Sequence, residues 1–368
     1  MHDSDRPAGP AIVETLEEAA GLPQPPLLVR RSLEEYLDRH GLGSGALTAQ
    51  LIGGGHSNVT FRVQREGLRA ILRRPPRPPF HPSAHDVMRE ARVQKALEPT
   101  VARVPRVLHA CDDTTLLGVP FYLMEEVHGT VITSSLPESL DDAEGRIALT
   151  GEFVDALVEL HAVDTCAPAL RAIDRGPGFI DRQIHRWYAV WQESRTRDIA
   201  EIDEVAVWLR RNRPPEPRER TVVHGDYRLG NVMFAAGAPA RLQSILDWEI
   251  GTVGDPLVDL GWILTTWPEP GDDSGTLLSM AGAVAGGGFP TRAELIDRYA
   301  TRTGRAVDGL GWYRAFAFWR AAIGLESLYA RRVQFSGPND LFLLSLAIGV
   351  PELAVRAREA TAEQHRFV

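Results

Sequence analysis

The stretch that most constrains this chain is residues 222–259. It reads VVHGDYRLGNVMF, then an Ala/Gly/Pro turn, then RLQSILDWEIGTVGDPLVD. It sets His224, Asp226 and Asn231 on a polar loop between two apolar runs. Gly237 and Pro239 mark the turn of a hairpin whose return strand ends in Asp247. Short strands flanking such a loop would aim the polar side chains at one cleft. Phosphoryl transfer needs a carboxylate to orient and deprotonate the attacking hydroxyl, and oxygen ligands for Mg²⁺. Asp226 fits the first role; Asn231, five residues on, and Asp247, twenty-one on, fit the second. Taken singly, Asp226 and Asn231 could simply cap a loop, as Asx residues do. The joint pattern argues for chemistry.

HxDxxxxN followed by an apolar ILD at hairpin distance is close in spacing to the kinase catalytic loop and its metal-binding aspartate. HGDYRLGN, ILDWE and GDPLVDL together resemble the aminoglycoside-phosphotransferase-like branch of the protein-kinase-like superfamily. In that branch HGD stands for HRD, and an acidic pair such as Asp247/Glu249 stands for DFG. LRRPP, SAHDVMRE, FIDRQ-x-x-RW and DWE bring the resemblance closest to the kinase-like domains fused to some acyl-CoA dehydrogenases. It covers about residues 28–360. It implies a bilobal α+β fold, with nucleotide between a small lobe and a larger, mainly helical one. The small lobe would hold a five-stranded antiparallel sheet plus a helix.

Upstream, the parts follow in kinase order. Residues 47–63 read as strand, glycine turn, strand. Gly54, Gly55, His56, Ser57 and Asn58 form the turn, where backbone N–H groups can approach phosphate oxygens closely. LRAILR at 68–73 is the next strand, which in the family carries the basic residue for the phosphates. Lys95 is the chain's only lysine, so Arg73 takes that place. An arginine can bridge phosphate oxygens bidentately, with a larger fork than lysine. Glu90, on a helix over 86–97, matches the family's carboxylate partner and would fix the direction of Arg73. VPFYLMEEV at 119–127 matches the interlobe connector: Met124 would be the gatekeeper, with the Glu125 carbonyl and Val127 N–H meeting adenine. Further on, His224 is expected to brace its loop, Asp259 to be a structural hydrogen-bonding acid, and His161 to lie in the core of a long helix over 141–163.

At 368 residues the chain is long enough for two lobes. The expected division is a loose leader at 1–27, a nucleotide-binding lobe at 28–124 and a catalytic lobe at 125–368. A net charge of −9 gives a nucleic-acid partner no electrostatic support. Cys111 and Cys166 fit no metal-ligand pattern, and a reducing cytoplasm is their simplest setting. The leader lacks the apolar core of a signal peptide. The longest apolar run, 341–350, is too short to span a bilayer, so no membrane partner is expected.

The expected reaction is transfer of the γ-phosphoryl group of ATP, or of GTP, to the hydroxyl of a small molecule. Asp226 is the base. Asn231 and Asp247 hold Mg²⁺, and Glu249 adds a further contact at the metal. The acyl-CoA-dehydrogenase-linked likeness points to a hydroxyacyl thioester or a similar hydroxylated metabolite as acceptor. An aminoglycoside acceptor would want a dense acidic surface, at which Glu125/Glu126 and Asp272/Asp273 hint. A rival of another class is a nucleotide-binding pseudokinase. The missing lysine favours it, and the complete Asp226/Asn231/Asp247 set opposes it. The oligomeric state is left open.

Overall fold

Apolar and polar residues alternate through VTFRVQRE, while LRAILRR carries an apolar centre, Ala70–Leu72, that is buried on both faces of the sheet. The computed structural model describes residues 10–52, 58–77, 85–100, 102–272, 282–333 and 341–362. These fall into two compact units. The first comprises residues up to Pro99, Val104–His128 and Asp247–Glu249; the second comprises Thr100–Arg103, Gly129–Leu246 and the chain from Ile250 on.

The first unit opens with β1 (Ile12–Val13), α1 (Leu16–Ala20), β2 (Leu28–Val29) and α2 (Arg30–Arg39). Its main sheet holds β3 (Ser44–Ile52), β4 (Val59–Glu66), β5 (Leu68–Arg74), β6 (Val107–Cys111) and β7 (Phe121–Glu125). The helices α3 (Val87–Leu97) and α4 (Thr114–Leu117) lie in the connections. The strand order is β3-β4-β5-β7-β6, antiparallel throughout, as the resemblance implies. Leu33 and Leu37 pack with Phe61, Val63, Leu72 and Phe121 in the core cluster that joins α2 to the sheet. Met124 and Tyr122 pack with Val87 and Ala91 of α3. From Pro10 onward the leader differs from the loose segment expected. Ile12–Val13 pairs in parallel with Leu28–Val29, and Arg30 Nη2 lies 2.6 Å from Glu14 Oε1.

The second unit is mainly helical. It contains β8 (Thr130–Val131), α5 (Ala143–His161), α6 (Pro168–Arg171), α7 (Phe179–Ser194), α8 (Ala200–Arg211), β9 (Thr221–Val223), β10 (Val232–Phe234), β11 (Leu242–Ile245), β12 (Thr252–Gly254), α9 (Leu257–Thr266), α10 (Arg292–Thr303), α11 (Leu310–Val333) and α12 (Leu341–Ala362). Asp142 caps α5, its side chain accepting the Gly145 N–H at 2.6 Å. In α11, Trp312, Phe316, Trp319 and Ile323 recur at helical spacing and are all buried. The Trp312 and Trp319 indole N–H groups donate to the Leu209 and Ile202 carbonyls of α8 at 3.2 and 2.9 Å. Among the described residues, no helix is long and apolar enough to cross a membrane.

Two small antiparallel sheets, β9-β12 and β8-β10-β11, frame the HGD loop. Leu246 ends the second unit's part of the hairpin. Its N–H donates to the Asn231 carbonyl at 2.8 Å, and its own carbonyl accepts from His224 Nε2 at 2.8 Å. Asp247–Glu249 then belong with the first unit. The expected boundary at 124/125 differs as well. Residues through His128 group with the first unit, where the Glu126 carboxylate is held by Arg62 at 2.6 Å and Arg69 at 3.1 Å.

Candidate active site

In the second unit the HGD loop is fixed from below by a buried acid. Asp259, in the first turn of α9, accepts the His224 N–H at 2.8 Å and the Gly225 N–H at 2.6 Å. His161 Nε2 lies 3.2 Å from the same carboxylate, and Tyr299 OH lies 2.8 Å from His161 Nδ1. Burial alone would push the Asp259 carboxyl up. The hydrogen bond and charge of His161, with the loop amide, hold it below the usual carboxylate range. Asp259 and His161 are thus structural, as their sequence context suggests. Gly225 has φ +86°, and a Cβ there would lie 2.9 Å from Ile250 Cδ1, so the turn that presents Asp226 requires glycine.

His224 braces the loop from within. Its Nδ1 accepts the Asp226 N–H at 3.1 Å, which places the ring proton on Nε2, the donor to Leu246. Asn231, at the end of a short 3₁₀ turn, directs Nδ2 to the Asp226 carbonyl at 2.8 Å and to Asp226 Oδ2 at 2.7 Å. Two oxygen partners at these distances require that atom to be the nitrogen. Oδ1 is then the only oxygen the Asn231 side chain has to offer. The other Asp226 oxygen, Oδ1, is buried and makes no hydrogen bond among the described residues; Arg228 Nε stands 3.4 Å away as an ion-pair partner. One carboxylate oxygen is therefore anchored by Asn231, and the second faces the Arg228 guanidinium.

The sequence reading missed two cations here. Arg228 is one, two residues beyond Asp226. Arg320 of α11 is the other: buried, it donates through Nη2 to the Gly225 carbonyl. Its guanidinium stacks 4.5 Å from the centroid of the Trp262 ring. Burial pulls Arg320 down to about 10, while Asp226 and Asp259 act to raise it, so it stays charged at neutral pH.

In the first unit, Arg73, Glu90 and Asp247 meet. Arg73 Nε and Nη2 donate to Glu90 Oε2 at 3.3 and 3.2 Å, and Nη2 is 3.3 Å from Asp247 Oδ1. The Glu90 side chain is 1% exposed and that of Arg73 12%. Burial would lower Arg73, but Glu90 and Asp247 raise it, keeping it a permanent cation. Asp247 has φ +64°, an uncommon backbone state that Asp tolerates better than most residues. The Glu249 carbonyl accepts from Arg89 Nη1 of α3 at 2.8 Å.

Asn58, expected at the phosphates, is buried. Its Nδ2 donates to Glu90 Oε2 at 3.3 Å and its Oδ1 lies 3.2 Å from His85 Nδ1, so its side chain braces the Arg73–Glu90 pair. Gly54, Gly55, His56 and Ser57 lie outside the described residues. Met124 is buried on β7, its Sδ 3.7 Å from Gln94 Nε2. Glu125 ends β7 and exchanges bonds with Arg106, whose carbonyl and N–H are both 2.9 Å away. Val127 is half-buried just beyond it.

Comparison with known proteins agrees with this picture. A family model described as the phosphotransferase enzyme family matches residues 48–316. Acyl-CoA dehydrogenase family member 11 of Gallus gallus is 33% identical over 312 residues, which are 82% of this chain and 39% of that protein. The same-named protein of Homo sapiens is 31% identical over 310 residues, again 82% of this chain and 39% of the relative. The chain thus spans about two-fifths of the length of these relatives. Among solved structures, a proposed aminoglycoside phosphotransferase from Ralstonia eutropha matches with TM-score 0.70 and 30% identity, covering 90% of this chain and 98% of that one. Aminoglycoside phosphotransferase APH(4)-Ia, in ternary complex with AMP-PNP and hygromycin B, matches with TM-score 0.58. At 15% identity over 90% of this chain and 99% of that one, it speaks to the fold alone.

Proposed function

The chain belongs to the phosphotransferase enzyme family, and on that premise we propose that it transfers the γ-phosphoryl group of ATP to a small-molecule hydroxyl, GTP being the alternative donor. The observation that carries this reading is the state of Asp226. Asn231 holds the Asp226 carbonyl and Oδ2, which fixes the carboxylate on the HGD loop, and among the described residues no hydrogen bond occupies Oδ1. The acceptor O–H proton passes to Asp226, the acceptor oxygen bonds to the γ-phosphorus, and the bond from that phosphorus to the β-phosphate oxygen breaks, releasing the nucleoside diphosphate.

Arg73, directed by Glu90, is the proposed phosphate cation. Asn231 Oδ1 and Asp247, with Glu249 as a further carboxylate, are the proposed ligands of Mg²⁺. An all-oxygen donor set of this kind suits that hard cation. The metal's chemistry is to neutralise charge on the phosphates. Gly54, Gly55, His56 and Ser57 are proposed to cover the phosphates, and Met124, Glu125 and Val127 to meet the base.

Relatives named for acyl-CoA dehydrogenases support a hydroxyacyl thioester or similar hydroxylated metabolite as acceptor. The likeness to a proposed aminoglycoside phosphotransferase favours the second reading, an antibiotic acceptor. Against it, two of the acids that hinted at a cationic substrate are engaged. Glu126 is held by Arg62 and Arg69, and Asp272 by Arg292; Asp273 is outside the described residues. A pseudokinase is opposed by the ordered Asp226–Asn231 pair and by an arginine already fixed in the lysine's place. We place the reaction in the cytoplasm, where free cysteines such as Cys111 and Cys166 persist.

Thermal unfolding with Mg·ATP, Mg·GTP or no nucleotide, on wild type and Asp247→Ala, tests the reading. Binding to the native state raises Tm by mass action. A shift that Asp247→Ala abolishes is expected; no shift with either nucleotide would contradict the kinase reading.

A further inference from the structure

Arg320 is a buried cation in an aromatic setting. Its guanidinium carbon lies 4.5 Å from the ring centroid of Trp262, 5.8 Å from that of Phe316 and 6.0 Å from that of Trp187. Burial works against its charge, Asp226 and Asp259 support it, and Arg186 opposes it. Among the described residues it closes no ion pair, and its one hydrogen bond is to the Gly225 carbonyl. Taking a guanidinium out of water is costly, and an apolar side chain would fill the same space without that cost. The charge therefore points to a task, and the carbonyl shows where that task lies. This carbonyl belongs to the peptide group that joins Gly225 to Asp226. The N–H of the same group is held by His224 Nδ1 at 3.1 Å. Both polar ends of one planar unit are thus fixed, and with them the rotations on either side of it. Such holding matters at this turn, because Gly225, at φ +86°, has no Cβ to restrain its backbone.

We propose that Arg320 is a positioning residue for the base: held over the Trp262 ring, its guanidinium clamps the Gly225–Asp226 peptide and so sets the direction in which Asp226 meets the acceptor hydroxyl. The inference rests on the phosphotransferase reading and adds to it a residue of α11 that acts through the backbone. The other holds on the turn come from the loop itself and from Asp259. Asn231 fixes the Asp226 carbonyl and Oδ2, and Asp259 fixes the Gly225 N–H at 2.6 Å. Arg320 supplies the remaining one, and the rings around it keep its fork from swinging away. A lysine would bring the charge and a donor but not the planar fork. A reacting group displaced by about 1 Å loses roughly a hundredfold in rate, and a fault confined to the base leaves nucleotide binding as it was.

The test uses the full chain as wild type, Arg320→Met and Arg320→Lys, with ADP release from Mg·ATP followed on a panel of hydroxyacyl thioesters and other hydroxylated acceptors. For an acceptor that wild type turns over, kcat is expected to fall roughly a hundredfold in Arg320→Met and about tenfold in Arg320→Lys. KM for ATP and the thermal shift given by Mg·ATP are expected to stay at their wild-type values in both. A residue that only stabilises the fold would lower the urea midpoint and leave kcat of the folded protein unchanged. Wild-type kcat in either folded variant would therefore overturn the proposal, and so would a lysine variant as slow as the methionine one. A rise in KM for ATP that accounts for the whole loss would also overturn it. Arg320→Lys keeps the buried charge and decides the matter where Arg320→Met does not fold. Wild type that releases no ADP with any acceptor would contradict the phosphotransferase reading itself, and the role of Arg320 would fall with it.

Discussion

Asn231 holds Asp226: its Nδ2 lies 2.7 Å from the Asp226 Oδ2 and 2.8 Å from the Asp226 carbonyl oxygen. A single amide thus sets both the backbone and the side chain of the proposed base. Asn231→Asp would replace that donor with a second carboxylate at the same distance. Like charges so close cannot both ionise freely, and the proton they share is lost at higher pH. The acid limb of the kcat–pH profile should move up by about one unit or more. A profile that stays in place would show that Asn231 does not set the ionisation of the base.

The Arg73–Glu90 pair yields a stability prediction. Both side chains are nearly inaccessible, and Asn58 donates a further bond to Glu90. Removing one partner leaves a buried charge uncompensated. Glu90→Ala should therefore cost about 3 kcal/mol in denaturant unfolding, and the double change Arg73→Met, Glu90→Leu should recover part of that loss. A Glu90→Ala protein of wild-type stability would contradict the pair's assignment.

Asp259 links pH to folding. Its folded-state carboxyl lies below the usual range, so the ionised form is favoured in the native state. Such an acid stabilises the fold above its unfolded pKa, and that contribution is lost as pH falls through the folded value. For an aspartate the loss begins near pH 4 and grows below it, about where the unfolded carboxyl titrates. Asp259→Asn should lower stability at neutral pH and flatten the acid limb of stability against pH between about 4 and 2. Urea midpoints across that range measure it; parallel limbs for the two proteins would count against the assignment.

Gly225→Ala tests the turn that presents Asp226. At φ +86°, alanine meets both the left-handed penalty and the Ile250 side chain. A stability loss of about 1–2 kcal/mol is expected from the backbone term. A larger fall in kcat than in nucleotide affinity should accompany it, because the first residue displaced is Asp226. Unchanged kcat in a folded variant would mean that the turn tolerates rearrangement.

Much of this architecture was legible in the chain. The alternation over 60–63 and the apolar run in LRAILR gave strands, and HGDYRLGN with ILD gave the loop and its hairpin, because these signals are local. Arg73 and Glu90 could be paired from the family's order of elements, and the structure brings their side chains together. Arg320 could not be found in this way. Its partner Gly225 is 95 residues away, and one arginine among 39 carries no local signature. The only hint is a cation set among the buried aromatics of FAFWRAA. Asn58 shows the converse. A polar residue beside a glycine turn suggests a ligand contact, yet burial turns its amide to Glu90 and His85. Nor does local pattern reveal that Asp247–Glu249, continuous with the hairpin, group with the first unit.

The most direct measurement is the rate of ADP release from Mg·ATP with a panel of hydroxyacyl thioesters and other hydroxylated acceptors for wild type and Asp226→Asn, with nucleotide binding followed in parallel by thermal shift. The account predicts that the variant still binds Mg·ATP but that kcat falls by roughly a hundredfold or more, the contribution of a positioned general base. An Asp226→Asn protein that turns over at the wild-type rate would contradict the role given to Asp226, and with it the proposed mechanism.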